Sequence, residues 1–187
     1  MMRRVPLLLL VLVLPPNAMA MDLVGNGGFE TDLPPAWQEV TVGAAAMVSR
    51  STGYDLDPDF EVLVHKGTGN GYAKLEQTIV IPSTEVDFSV NAKIQVATTP
   101  GPWAAAGVAL HYEDQLGGVL GTTMIVRATS ACPWVDSDTF HMIPAPDEEW
   151  NAFDFNVHDE LFNLPGVDQM AIHQIRISLF GQIGGDC

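Results

Sequence analysis

The chain is short of positive charge: eight Lys and Arg stand against 23 Asp and Glu over 187 residues, for a net charge of −15. Nucleic acids and anionic lipid surfaces are held by basic residues that displace counterions, so this scarcity argues against both as partners. Cysteine is equally sparse, with only Cys132 and Cys187, which limits any disulfide framework to one bridge. The histidines at 65, 111, 141, 158 and 173 show no H-x-x-x-H or H-E-x-x-H spacing, and no G-x-S-x-G occurs. Zinc-hydrolase and serine-hydrolase motifs are therefore missing. No repeat, low-complexity linker or break in composition divides the chain. Beyond residue 20, no apolar run approaches the roughly twenty residues a transmembrane helix needs.

What is present begins with an export signal. Arg3 and Arg4 precede an apolar run over 5–14, followed by Pro15, Pro16 and the small residues Ala18 and Ala20. That order is the one a cleavable signal peptide needs, and it predicts a leader over 1–20. At about ten residues the run is too short to anchor the chain across a bilayer. The expected location is secreted or extracellular, with the periplasm and cell surface included. Residues 21–187 then form the mature part, 167 residues with six basic against 23 acidic side chains, a net charge of −17. That length suffices for one domain with a sizeable core. An oxidising compartment favours a Cys132–Cys187 bridge over two free thiols. Closing its 55-residue loop would add up to about 4 kcal/mol on the chain-entropy model.

The periodicity is that of strands. Over 86–96, Val86, Phe88, Val90, Ala92, Ile94 and Val96 fall on one side, while Asp87, Ser89, Asn91, Lys93 and Gln95 fall on the other. This is a half-buried strand with one wet face. Further strands are expected over 72–81, 104–112, 119–128, 138–143, 150–157 and 175–179, with Gly117-Gly118 turning a hairpin. A parity change between Ile172 and Ile175 suggests a bulge near His173 and Gln174. Only 159–164 looks helical, stopped by Pro165-Gly166. Many short strands with Gly and Pro turns predict an all-β antiparallel sandwich.

Asn26-Gly27-Gly28-Phe29-Glu30 followed by Trp37 resembles the opening of galactose-binding-like jelly-roll domains, including carbohydrate-binding modules of the family four and nine type. The Gln-containing run from Lys74 to Pro82, the segment 150–157 and the segment 175–179 are similar to later strands of that group. The resemblance covers residues 22–180. It implies a jelly roll whose first strand carries the N-G-G-F-E motif, with sugar binding as the commonest role and often a structural calcium near Glu30. It also implies a final acidic strand, where this sequence runs instead into Gly184-Gly185-Asp186-Cys187. Either that strand is lacking, exposing a sheet edge, or the sandwich closes differently.

Sugar rings stack their C–H faces on aromatic side chains, and polar groups fix their hydroxyls. Trp103 follows Pro100-Gly101-Pro102 and Trp134 follows Cys132-Pro133, so both stand in loop settings that suit ligand contact or loop anchoring. Trp37 and Trp150 occupy positions that are core in the resembling modules. His111 alternates with Leu110 and Tyr112, and Arg127 lies on the neighbouring hairpin strand, making both candidate polar contacts. For calcium, Glu30 is the residue named. Asp55-Asp57-Asp59 has a suggestive spacing but lacks the glycine and distal glutamate of a helix-loop-helix site. Glu113-Asp114 and Glu148-Glu149 read as solvated loop tips rather than a glycosidase pair. The expected function is a non-catalytic module that binds a polysaccharide or glycan. The alternative is a cell-surface or matrix domain that contacts protein, with a glycoside hydrolase behind both.

Overall fold

In a computed structural model, residues 22–53, 58–97 and 102–184 are described. The leader, Asp55, Asp57 and Cys187 lie outside them, and with Cys187 the expected disulfide. Among the described residues there are ten strands: β1 (Gln38–Val42), β2 (Ala46–Ser51), β3 (Glu61–Lys66), β4 (Gly71–Val80), β5 (Asp87–Lys93), β6 (Ala104–Glu113), β7 (Val119–Ala128), β8 (Phe140–Pro144), β9 (Trp150–Asn156) and β10 (Gln174–Ile183). Six of them form one sheet in the order β1-β4-β10-β6-β7-β8, while β2-β3 and β5-β9 form two ribbons.

Alternation explains how these layers pack. On one face of the six-stranded sheet, Leu75, Val108, Leu110, Ile125 and Ile177 are buried. Phe88, Val90, Phe153 and Phe155 of the β5-β9 ribbon and Val48, Val62 and Val64 of the β2-β3 ribbon pack against them. Phe88 and Phe155 are register partners whose rings lie 5.2 Å apart. This is a β-sandwich whose second layer is made of two ribbons. The face under them is the inner face.

The strands expected from 72 onward are all present. The sequence pattern missed β1, β2 and β3, whose residues are mostly half-buried or exposed rather than alternating cleanly. The pairing is not wholly antiparallel, because β7 and β8 run parallel. Parallel neighbours need a crossover, and residues 129–139 supply one across the outer face. The expected bulge near Gln174 is instead the start of β10, just after the 3-10 turn Gln169–Ala171. A register irregularity does occur, between Tyr112 and Glu113 of β6. Helix α1 spans Val157–Glu160 and continues as a 3-10 turn, Leu161–Asn163. It starts earlier than expected because the Asn156 side chain caps it, accepting from His158 N at 3.0 Å. Strand β10 lies between β4 and β6, so the last described strand is central and the sheet edges are β1 and β8.

The N-G-G-F-E segment is a loop rather than a strand, with Asn26 and Phe29 at positive φ. The Asn26 amide closes it by donating to Thr31 O and accepting from Thr31 N, each at 3.0 Å. Trp37, 3% exposed, donates from Nε1 to Asn26 O and packs its ring 5.5 Å from that of Phe29. Gln77 clamps the loop to β4: its amide donates to Gly25 O and Ala36 O and accepts from Gly25 N at 2.7 Å. The glutamine noted in the sequence is thus a buried strap that supplies partners to loop backbone.

Candidate functional site

The outer face of the six-stranded sheet is only partly covered. There β4 presents Tyr72 and Lys74, β10 presents Ser178, Phe180 and Gln182, and β6 presents Ala109 and His111. The crossover after β7 lays Trp134 and Val135 along one side, next to Phe140 of β8. Between these walls lies a cleft of about 480 Å³, within the roughly 300–1,000 Å³ typical of small-molecule sites.

Local chemistry holds the crossover in place. Thr129 N donates to Ala104 O at 2.8 Å and its hydroxyl accepts from Ala104 N at 3.0 Å. At the far end Ser137 and Phe140 exchange backbone hydrogen bonds, and Asp136 accepts from Met142 N at 2.7 Å. Trp134 is held edge-on by Trp103, Phe180 and Phe140, at centroid distances of 5.2, 5.9 and 6.4 Å. Glycine is required at 107 for the close pairing of β6 with β7: a Cβ there would collide with the Ile125 carbonyl oxygen.

The polar end of the site is arranged by register. Arg176 stands opposite His111, and His111 opposite Thr122. The guanidinium donates to Glu113 at 2.7 Å and to Glu76 at 2.8 Å, so two carboxylates balance its charge. Gln174 holds the other Glu113 oxygen at 3.1 Å. The His111 ring lies 3.0 Å from the Thr122 hydroxyl. Burial, then the Arg176 and Lys74 charges, pushes His111 down to about 3, so the ring is neutral at neutral pH. In the floor Ser178 is 1% exposed, and its hydroxyl has no hydrogen-bond partner.

A second polar cluster lies on the inner side, and its groups pair with one another. Tyr112 donates to Thr123 at 3.0 Å, and Thr123 donates to Glu160 at 2.8 Å. His141 Nδ1 meets the same Glu160 oxygen at 2.6 Å, and Asn163 donates to the other at 3.0 Å. Glu160 is 7% exposed. This network ties α1 to β7 and β8.

Of the residues singled out in the sequence, Trp134 and His111 meet at the cleft. Trp103 stands behind Trp134 as a support. Arg127 does not join His111: it points to the opposite side of β7, pairs with Glu148 at 3.4 Å and borders a separate depression with Gln95 and Pro144. Glu30 is exposed, and Arg50 donates to the backbone carbonyls of Phe29 and Glu30. A guanidinium thus lies against the backbone beside Glu30, and a calcium ion needs six to eight oxygen ligands. The residues at Glu30 do not fit one, and no cluster of three or more metal-ligating side chains occurs among the described residues.

The sequence reading did not single out Tyr72, Lys74 or Ser178. Their signal was parity alone: each sits at a position alternating with the buried face of its strand, as many solvated residues do.

No protein-family model matches the chain, and no curated protein matches it. Among solved structures it is similar to the enzymatically active domain of bacteriophage CBA120 tailspike protein 4, with TM-score 0.48 and 15% identity, over 87% of this chain and 20% of that one. It is also similar to a carbohydrate-binding module of the β-sandwich superfamily, described for promiscuous specificity, with TM-score 0.44 and 13% identity, over 80% of this chain and 52% of that one. The chain thus spans about a fifth and about half of the lengths of these two. The fold assignment rests on the strand pairing, not on these likenesses.

Proposed function

We propose that the protein is an exported, non-catalytic carbohydrate-binding domain of jelly-roll type that takes a glycan in the outer-face cleft. The observation that carries this reading is the combination of aromatic walls, Trp134 and Tyr72, with the polar Lys74 side chain at one cleft. Apolar rings receive the C–H faces of a sugar, and a few placed polar groups select its hydroxyls. Neutral His111 and Gln182 are further hydrogen-bonding groups at the same cleft.

In this reading the cleft binds without catalysis, through aromatic, small, neutral polar and cationic side chains. Glycoside hydrolysis commonly uses two carboxyl groups across the bond to be cut. The nearby Glu76 and Glu113 are held by Arg176.

Affinity electrophoresis against soluble neutral and acidic polysaccharides tests the proposal. Retardation by at least one glycan is expected, with Trp134→Ala weakening it about tenfold or more and Trp103→Ala weakening it less. Absence of retardation by every glycan would overturn the reading, as would retardation unaffected by Trp134→Ala.

A further inference from the structure

A lone cation in an acidic protein points to the charge of the ligand. Six basic residues fall within the described residues, and five have their charge taken up. Arg50 is bound to the carbonyls of Phe29 and Glu30, and Lys66 donates to those of Ala44, Thr68 and Gly69. Lys93 pairs with Glu149 at 3.3 Å, Arg127 with Glu148 at 3.4 Å, and Arg176 with both Glu76 and Glu113. Lys74 is the exception. Its ammonium lies 4.8 Å from the centroid of the Tyr72 ring, and no carboxylate or carbonyl meets it among the described residues. It is half-buried and lines the cleft.

In a chain with 23 acidic side chains, a cation held against an aromatic face without an anion is placed where a ligand can supply one. The rest of the cleft cannot compete for that anion. Arg176 is saturated by its two carboxylates, and His111 is neutral because burial and the two neighbouring cations disfavour its protonation. Building on the glycan reading, we infer that the cleft recognises an acidic sugar, a uronate whose carboxylate accepts from the Lys74 ammonium while its ring lies among the aromatic walls. One spare cation matches one carboxylate. A densely charged polyanion would meet the acidic surface beyond the cleft, and a glycan with isolated uronates would not.

Titration calorimetry with oligosaccharides carrying a single uronate tests this. Aldouronic fragments of glucuronoxylan and uronate-ended fragments of galactan, each beside its carboxyl-reduced form, are suitable probes. At least one acidic fragment is expected to bind about tenfold tighter than its reduced form, as a charge-assisted hydrogen bond supplies. Lys74→Met should erase that preference, Lys74→Arg should retain it, and Lys93→Met should change nothing. Reduced forms that bind as tightly as the acids would overturn the inference and leave glycan binding standing. A preference that survives in Lys74→Met would overturn it too. Silence of every fragment and of the wider polysaccharide panel would instead remove the glycan reading itself.

Discussion

Thr122 and Thr123 are adjacent on β7 and face opposite sides of the sheet, and their surroundings differ as the two faces do. On the inner face Thr123 is one link in a chain from Tyr112 through Glu160 to His141 and Asn163, in which every group has a partner. On the outer face Thr122 meets His111, and two residues along β10 from Arg176 the Ser178 hydroxyl has no partner. A sealed face must satisfy its polar groups internally, since an unmade hydrogen bond there costs the full desolvation of the group. A face left partly open by a crossover loop can keep a cation for something that binds later. The inner cluster is therefore read as architecture and the outer one as a site.

The sharpest way to break this contrast is at Glu160. Glu160→Ala strips a charged acceptor from Thr123, His141 and Asn163, and should destabilise the domain by about 3 kcal/mol or more in urea denaturation. A loss under about 1 kcal/mol would mean that the inner network is not structural. The next effect is one of pH. The folded-state pKa of His111 is depressed from 6.5 to about 3, so above pH 6.5 its contribution to stability is fully present. As pH falls below 6.5 the unfolded chain takes up a proton that the folded chain refuses, and stability is lost until pH approaches 3. Arg176, Lys74 and Thr122 act on the ring, and they remain in a His111→Asn variant, as do Glu76 and Glu113, the partners of Arg176. That variant should therefore lose about 1 to 2 kcal/mol less than the parent between pH 7 and pH 5. Identical pH profiles would place His111 in water rather than under the cleft. The smallest effect is expected at Ser178. Ser178→Ala gives up no hydrogen bond, so its stability should change by under about 0.5 kcal/mol. A stability loss approaching that of Glu160→Ala would erase the distinction between the faces.

Much of the framework was readable before any coordinates. The even alternation from Phe88 to Ala92 and from Ile175 to Leu179 marks the two faces of each strand, because the side-chain period of a strand is two whatever lies beside it. The short strands β1 to β3 were not readable, since their residues sit at margins where burial does not alternate. The site was half readable. Trp134 and His111 carry chemistry that draws notice wherever they stand, but Arg127 carries the same kind of chemistry and faces the other way. Lys74 and Ser178 looked like any residues on a wet face.

The sequence by itself determined the all-β class, the positions of the long strands and their two faces, and the deficit of positive charge, because these follow from local periodicity and composition. Only the tertiary structure decided which face carries a cleft. That depended on β10 entering the middle of the sheet, which brings Ser178 beside Ala109 and Arg176 beside His111. It depended equally on the parallel placement of β8, which forces the chain over the outer face and sets Trp134 there. Register and crossover are long-range choices, and no window of neighbouring residues encodes them.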